Sequence, residues 1–247
     1  MKTKQPDVTQ THVAEHPSGV AYYKSSAAIS LFANYGLSAE EAYLFAKYFN
    51  PGDSVLDLAC GMGRTTLSLY EMGLKVRGLD YSDIFVEIAN RRLPYLDIRP
   101  GSFTAITEPD ASFNHVVISM CGIDCAYPET ERINAFRECA RVLKPGGTLY
   151  FSSHNLRSLH PFSPYYNYRS RIVWKLRNML RGFNAKCYIH EGEEFLFYSK
   201  PGYTQRQVEL TGLTLVESLG FGKFNSAHLD QYFSPYVHYV FRKPAHV

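Results

Sequence analysis

Residues 54–66 constrain the fold more than any other stretch of the chain. Their sequence, Ser-Val-Leu-Asp-Leu-Ala-Cys-Gly-Met-Gly-Arg-Thr-Thr, predicts a short buried strand, a tight glycine turn and then a helix. Gly61 and Gly63 remove side chains where a ligand can approach the backbone, and the following helix begins with exposed N–H donors. The next apolar run ends at Asp80. This spacing predicts one strand–helix–strand unit of a parallel α/β sheet.

The carboxylate of Asp57 indicates which ligand the turn accepts. A dinucleotide site has the pattern Gly-x-Gly-x-x-Gly and lays a pyrophosphate on the helix N-terminus. Here Thr66 stands at the third position, and a carboxylate beneath the turn would repel a pyrophosphate. A cationic ligand is favoured instead, such as the ammonium and sulfonium groups of S-adenosylmethionine.

These motifs resemble those of the class I S-adenosylmethionine-dependent methyltransferases. The acid and the Gly-x-Gly turn are similar to the family's first signature, and Arg141–Ser153, with its Lys-Pro-Gly-Gly turn, is similar to a late signature. The resemblance covers residues 38–155 by motif and 204–242 by outline. It implies an α/β fold, a Rossmann-like doubly wound sheet of seven mostly parallel strands, with an antiparallel C-terminal strand and an inserted lid after strand five.

Four segments follow from this interpretation of the chain. They are an N-terminal arm and lid helix (1–37), the cofactor-binding core (38–155), a basic and aromatic acceptor lid (156–203), and a C-terminal helix with edge strands (204–247). In the last segment, the capping box at Thr204–Gln207 predicts a helix that ends at residues 220–221. Two strands are then expected, at 223–227 and 237–242.

The resemblance implies S-adenosylmethionine as the cofactor. Asp57 would order the turn or meet the methionine ammonium, Asp80 would accept from the ribose hydroxyls, and Tyr81 would pack on the adenine. The family often has Gly-Asp where this chain has Gly101-Ser102, so a serine hydroxyl would face the adenine. The full set of expected cofactor contacts is Asp57, Ala59, Gly61, Gly63, Asp80, Tyr81, Ser102, Phe103, Met120, Cys121 and Tyr22.

Two residues at strand ends are candidates for a general base. Asp124 follows the fourth strand, and His154 follows the fifth in a polar Ser-Ser-His-Asn cluster. The alternatives are that Asp124 caps a turn and that His154 shapes its loop. No metal site is expected, because the five cysteines are scattered without a Cys-x-x-Cys pair. Reduced thiols are expected for the same reason.

The inserted segment has the most uneven charge distribution in the chain. Residues 156–190 contain seven basic side chains and no acidic one, with aromatic residues between them. We expect it to contact an acceptor through His160, Tyr165, Tyr166, Arg169 and Trp174. The favoured partner is a small or medium-sized anionic molecule; an anionic membrane surface and RNA are alternatives, RNA being the less favoured. A solvated basic face, balanced by acidic residues at 191–194, is the fourth interpretation.

Taken together, the sequence predicts a methyltransferase that acts on an oxygen atom of a sugar or secondary metabolite. Transfer to nitrogen, carbon or RNA, a non-catalytic S-adenosylmethionine-binding scaffold, and a nicotinamide dehydrogenase are the alternatives. No apolar run approaches the roughly 20 residues of a membrane span, and the first residues lack the apolar core of a secretory signal. A cytoplasmic location is therefore expected. For the oligomeric state, a monomer and a homodimer are both left open.

Overall fold

The computed structural model describes residues 36–158, 186–191, 194–220 and 234–245. The strands of this part of the chain are β1 Ser54–Leu58, β2 Lys75–Asp80, β3 Asp97–Pro100, β4 Phe113–Ile118, β5 Leu143–Asn155, β6 Lys186–Glu191, β7 Glu194–Ser199, β8 Thr214–Gly220 and β9 Tyr236–Arg242. The α-helices are α1 Ala39–Tyr48, α2 Arg64–Glu71, α3 Asp83–Arg92, α4 Glu129–Val142 and α5 Pro201–Glu209, and a 3-10 helix spans Gly122–Cys125. Within these ranges, no helix combines the length and apolar character of a membrane span.

The sheet has the predicted doubly wound order. Strands β3, β2, β1, β4 and β5 are parallel neighbours in that sequence. Strand β9 pairs antiparallel with β5, and β8 pairs antiparallel with β9. The predicted Rossmann-like fold with an antiparallel C-terminal strand is therefore confirmed. All five parallel strands end at one edge of the sheet, where open α/β folds bind their ligands.

An additional hairpin, which the sequence analysis did not predict, extends the sheet at this edge. Strands β6 and β7 pair antiparallel with each other, and β7 runs parallel to the end of β5. His154 has Tyr236 of β9 as its partner on one side and Tyr198 of β7 on the other. The hairpin therefore lies on the same side of β5 as β4, beyond the end of β4.

Helices bury both faces of the central strands. On one face, Phe45 of α1 packs edge-on against Tyr150 of β5, at 4.8 Å between ring centroids. On the other face, Phe136 of α4 packs against Phe151 of β5. All four rings are fully buried, and each such burial contributes about 1.5–3 kcal/mol. Strand β5 is thus held on both faces, so the side chains at its end project from a rigid support.

The start of α1 matches the prediction, whereas the region after α5 does not. Ser38 and Glu41 form the predicted capping box. The helix predicted to run from 204 to 220 instead spans Pro201–Glu209, because proline suits the first turn of a helix. Thr214–Gly220 is an edge strand that pairs with β9. The predicted strand at 223–227 lies outside the described residues.

Candidate functional site

The glycine turn after β1 uses its two glycines differently. Ala59, Gly61 and Gly63 all have positive φ angles, of 52°, 57° and 84°. Among the described residues, no atom lies within 4 Å of a Cβ atom built at Gly61, so this part of the structure leaves space beside the backbone there. A Cβ atom at Gly63 would lie 2.9 Å from side-chain carbons of Leu93 and Ile98. Gly61 therefore leaves room beside the backbone among the described residues, whereas Gly63 is favoured by its φ of 84° and has the ends of two core side chains close by.

Asp57 is a buried acid with spare hydrogen-bonding capacity. Its Oδ2 atom accepts from the hydroxyl of Thr66 at 2.7 Å. Its Oδ1 atom is buried and has no hydrogen-bond partner among the described residues. Burial raises the pKa of Asp57 to about 7, although the bond from Thr66 opposes this change. An unpartnered carboxylate oxygen beneath an open turn favours a cationic ligand.

Asp80 connects the turn to the end of β2. Its Oδ2 atom accepts from the N–H of Gly61 at 2.7 Å, and its Oδ1 atom accepts from the N–H of Ser82 at 2.9 Å. Burial raises the pKa of Asp80, and the two backbone donors oppose that rise. Each carboxylate oxygen can accept more than one hydrogen bond. Asp80 can therefore orient Gly61 and still accept from a ligand hydroxyl.

The expected adenine contacts lie at the ends of β2 and β3. Tyr81 follows β2 and is 62% exposed. The hydroxyl of Ser102 lies 2.9 Å from that of Thr104, and Phe103 packs against the core. An exposed ring and a half-buried hydroxyl at the carboxyl edge suit the walls of a nucleoside pocket. Their contact with a cofactor remains a prediction.

Met120 and Cys121 form a strained turn after β4. Their φ angles are 49° and 56°, which is a rare conformation outside glycine. Met120 is 41% exposed, whereas Cys121 is buried and donates its N–H to the hydroxyl of Ser152 at 2.9 Å. Burial raises the pKa of Cys121 well above its ordinary value, so its thiol keeps its proton.

A buried ion pair beside the turn was missed by the sequence analysis. Arg64 donates two hydrogen bonds to Glu41, at 2.8 and 2.9 Å, and Ser119 donates to the same carboxylate. Burial opposes ionisation of Glu41, but the bonds from Arg64 outweigh it and lower its pKa. The sequence analysis used Glu41 only as part of the capping box that begins α1. The sequence signal for the ion pair was Arg64, a basic residue directly after Gly63.

The two candidate bases form one hydrogen-bonded pair. Asp124 of the 3-10 helix is fully buried, and His154 at the end of β5 has a side chain that is 22% exposed. The Oδ2 atom of Asp124 lies 2.7 Å from His154 Nδ1 and accepts from the His154 N–H at 2.6 Å. A carboxylate oxygen accepts the hydrogen bond in this contact when Nδ1 carries a proton, and in a neutral ring of that tautomer the lone pair lies on Nε2.

The opposite oxygen of Asp124 is held by two further donors. Arg132 Nη1 lies 2.6 Å from Oδ1, and the hydroxyl of Ser153 lies 2.7 Å from it. Cys121, Asp124 and His154 also offer metal-ligand atoms within 4.8 Å of one another. The donors around Asp124 and the protonated thiol of Cys121 instead favour a role for this cluster in proton transfer.

Six predicted contacts lie outside the described residues and stay predictions. They are Tyr22 of the N-terminal arm and His160, Tyr165, Tyr166, Arg169 and Trp174 of the inserted segment. Lys186, the last of the seven basic residues at 156–190, is described and forms an ion pair with Glu129 of α4. Its charge is therefore balanced within the protein.

An acid-supported glycine turn at the carboxyl edge of this sheet defines a nucleoside-cofactor-binding α/β domain. Residues 55–147 match a family described as a methyltransferase domain. A demethylmenaquinone methyltransferase of Renibacterium salmoninarum is 32% identical over 144 residues, which are 58% of this chain and 59% of that protein. An eEF1A lysine and N-terminal methyltransferase homolog of Drosophila melanogaster is 30% identical over 58% of this chain and 23% of that protein. The chain thus spans less than two thirds of either relative.

Solved structures share the fold. A methyltransferase from Methanosarcina mazei superimposes with a TM-score of 0.62 at 17% identity, covering 85% of this chain and 99% of that one. A methyltransferase from Mesorhizobium loti gives a TM-score of 0.63 at 16% identity, covering 83% and 98%. Residues 55–147 thus match a methyltransferase domain in sequence, and the family match together with the shared fold supports the class I S-adenosylmethionine-dependent methyltransferase superfamily for this part of the chain.

The described residues fit the cofactor of this superfamily. S-adenosylmethionine carries an ammonium and a sulfonium charge, and Asp57 offers a buried oxygen that has no hydrogen-bond partner in the part of the chain that the structure describes. The open space at Gly61 would be narrowed by any side chain there. Asp80 offers acceptors for hydroxyl groups at the same edge. The predicted cofactor is confirmed, while the individual contacts remain predictions.

Proposed function

We propose that the protein transfers a methyl group from S-adenosylmethionine to an oxygen atom of a small or medium-sized anionic acceptor. His154 is the general base. The observation that carries this proposal is the 2.7 Å contact between Asp124 Oδ2 and His154 Nδ1 at the carboxyl edge of the sheet. A partly exposed imidazole that is held by a buried carboxylate is suited to accept a proton from an acceptor hydroxyl.

The chain's residues divide the work between binding and proton transfer. Asp57 and Asp80, with the backbone at Gly61, would hold the cofactor, which supplies an electrophilic methyl group on a positively charged sulfur. With the cofactor bound, His154 Nε2 would take the proton of the acceptor hydroxyl, so that its oxygen could form the bond to the methyl carbon while the electron pair of the broken carbon–sulfur bond stays with sulfur. Asp124 balances the positive charge that develops on the imidazole. The buried surroundings of Asp124 strengthen this interaction.

The anionic acceptor is proposed from the sequence of the inserted segment. The sequence has seven basic residues and no acidic one at 156–190, and one of them, Lys186, pairs with Glu129. A segment with this charge that follows β5 would attract an anionic molecule toward the carboxyl edge. The experiment below therefore varies the charge of the acceptor and also identifies the atom that is methylated.

Transfer to carbon is the second candidate. It is favoured by the 32% identical relative that is named a demethylmenaquinone methyltransferase. The same base could remove the proton of a ring hydroxyl and so make a neighbouring ring carbon nucleophilic. Oxygen and carbon transfer therefore use one arrangement of His154 and differ in the product.

The experiment uses S-adenosylmethionine with a ¹³C-labelled methyl group. The purified protein is incubated with matched neutral and carboxylated phenols, sugars and hydroxylated aromatic compounds, and the product carbon is identified by NMR. A His154→Gln variant should lose about 10²–10⁴-fold in kcat, the usual contribution of a general base, while its affinity for the cofactor is unchanged. A normal kcat in this variant would contradict the role of His154, and methyl transfer to nitrogen would contradict the proposed product.

A further inference from the structure

Arg132 of α4 is a buried cation directly behind the proposed base. Its side chain is fully buried. Its Nη1 atom donates to Asp124 Oδ1 at 2.6 Å and to the carbonyl of Ile123 at 2.9 Å. Its Nη2 and Nε atoms donate to Ser153 at 3.0 Å and to Gln207 at 3.3 Å. The guanidinium thus joins the 3-10 helix, β5 and α5 around one carboxylate.

Stability alone does not explain why the ion pair between Arg132 and Asp124 is buried. Taking a guanidinium and a carboxylate out of water costs several kcal/mol per ion, and well-packed apolar residues often serve the fold equally well. Arg132 lies four residues before Phe136, on the buried face of α4, where an apolar side chain would fit the pattern of the helix. The position of the charge, rather than its contribution to stability, therefore calls for an explanation.

The geometry divides the two oxygens of Asp124 between two tasks. Oδ1 accepts from Arg132 and Ser153, and Oδ2 accepts from the backbone N–H and the ring of His154. The adjacent positive charge favours the ionised form of a carboxyl group. An ionised carboxylate has no proton to donate, so the ring of His154 must present Nδ1–H to it.

We propose that Arg132 is a positioning residue that keeps His154 in the neutral form with its proton on Nδ1 and a free lone pair on Nε2. This inference rests on the proposed function, because it assigns to Arg132 the tautomer that the base requires. Without the guanidinium, a negative charge on Asp124 is uncompensated. Oδ1 of Asp124 then loses its charged donor, and the ring of His154 is no longer required to present Nδ1–H to Oδ2.

The inserted hairpin completes the surroundings of both residues. The ring of Phe197 on β7 lies 4.4 Å from the Arg132 guanidinium carbon, in a cation–π arrangement. The ring of Tyr198 lies 4.6 Å from the ring of His154. On strand β7, Phe197 therefore shields the Arg132 guanidinium from water, and the next residue, Tyr198, restrains the His154 imidazole.

The test is a ¹⁵N NMR measurement of the His154 ring in the full chain. Its signals are assigned by their loss in His154→Gln, and the spectra of the wild type, Arg132→Met and Arg132→Gln are compared at mildly alkaline pH. Methionine matches the length of arginine without its charge, and glutamine keeps a hydrogen-bond donor without a charge. Arg137→Met, on the exposed side of the same helix, is the matched control.

We expect the Nδ1–H form in the wild type and in Arg137→Met, and its loss in both neutral Arg132 variants. Arg132→Lys should restore it, and kcat should follow the population of this form while KM for the acceptor changes little. A folded Arg132→Met that keeps the Nδ1–H form overturns the inference, and Arg132→Gln decides in the same way if the methionine variant does not fold. Because the spectrum needs no acceptor, a wild type with the expected tautomer but no methyl transfer refutes the proposed function alone.

Discussion

The buried carboxyl group of Asp57 makes the stability of the cofactor-free protein depend on pH. Burial raises its pKa to about 7, compared with 3.8 for an ordinary aspartate. Unfolding returns the side chain to water and restores the lower pKa. At about 1.4 kcal/mol for each pH unit, this difference corresponds to about 4 kcal/mol of unfolding free energy. Asp57→Asn removes this ionisation and keeps an oxygen that can accept from Thr66.

The sign follows from which state holds the proton. Between about pH 4 and pH 7 the folded chain keeps a proton on Asp57 that the unfolded chain has released. The free energy of unfolding of the wild type therefore falls as the pH rises through this range, and the deficit is constant above it. Asp57→Asn should be more stable than the wild type by up to about 4 kcal/mol above pH 7, and the difference should vanish toward pH 4.

Urea denaturation at a series of pH values measures this effect. Asp97→Asn on the edge strand β3 is the matched control, with the opposite sign. Burial opposes ionisation of Asp97, but hydrogen bonds from Arg77 and Arg99 outweigh it and lower its pKa. The control variant should therefore lose stability, relative to the wild type, as the pH rises above the folded pKa of Asp97. Parallel pH curves for Asp57→Asn and the wild type would refute the reasoning.

Binding of the cofactor should favour the wild type over Asp57→Asn, which is the reverse of their order of stability without it. A cationic ligand favours the ionised form of Asp57, so binding to the wild type should release a proton near pH 7 and strengthen as the pH rises. Calorimetry in two buffers with different ionisation enthalpies counts that proton. Asp57→Asn should bind more weakly and release no proton. Equal affinity and equal proton release would show that the unpartnered oxygen does not face the cation.

Three further predictions concern the same edge of the sheet. Gly63→Ala should destabilise the fold by about 1–3 kcal/mol in chemical denaturation, because φ is 84° there and the Cβ atom would also displace the side-chain ends of Leu93 and Ile98; Gly61→Ala, at a φ of 57° and with no described atom within 4 Å of its Cβ, should cost less. Arg64→Met should cost about 3–5 kcal/mol by leaving the charge of Glu41 buried and uncompensated, and equal melting of both proteins would contradict this. Asp80→Asn should weaken cofactor binding by roughly 1–3 kcal/mol through a lost charged hydrogen bond, and unchanged calorimetric affinity would exclude the ribose role.

The sequence determined the elements whose signals are local. Apolar runs, the capping box at Ser38 and the glycine turn after Asp57 each lie within a few residues, so the strand–turn–helix units and the cofactor class could be read from them. The prediction of a helix that reaches residue 220 was wrong, because local propensity alone does not distinguish a helix from an edge strand. Pairing of Thr214–Gly220 with β9 decides that segment.

Only the tertiary structure decided how the candidate base is built. Asp124, Arg132 and His154 lie up to 30 residues apart, and neither their spacing nor their types indicate that they meet. They come together because parallel strands end at one edge and α4 carries a charge on its buried face. A buried charge is stable only with its partners in place. The sequence therefore predicts Asp124 and His154 as separate candidates, whereas their hydrogen bond and the contact of Asp124 with Arg132 form only in the folded chain.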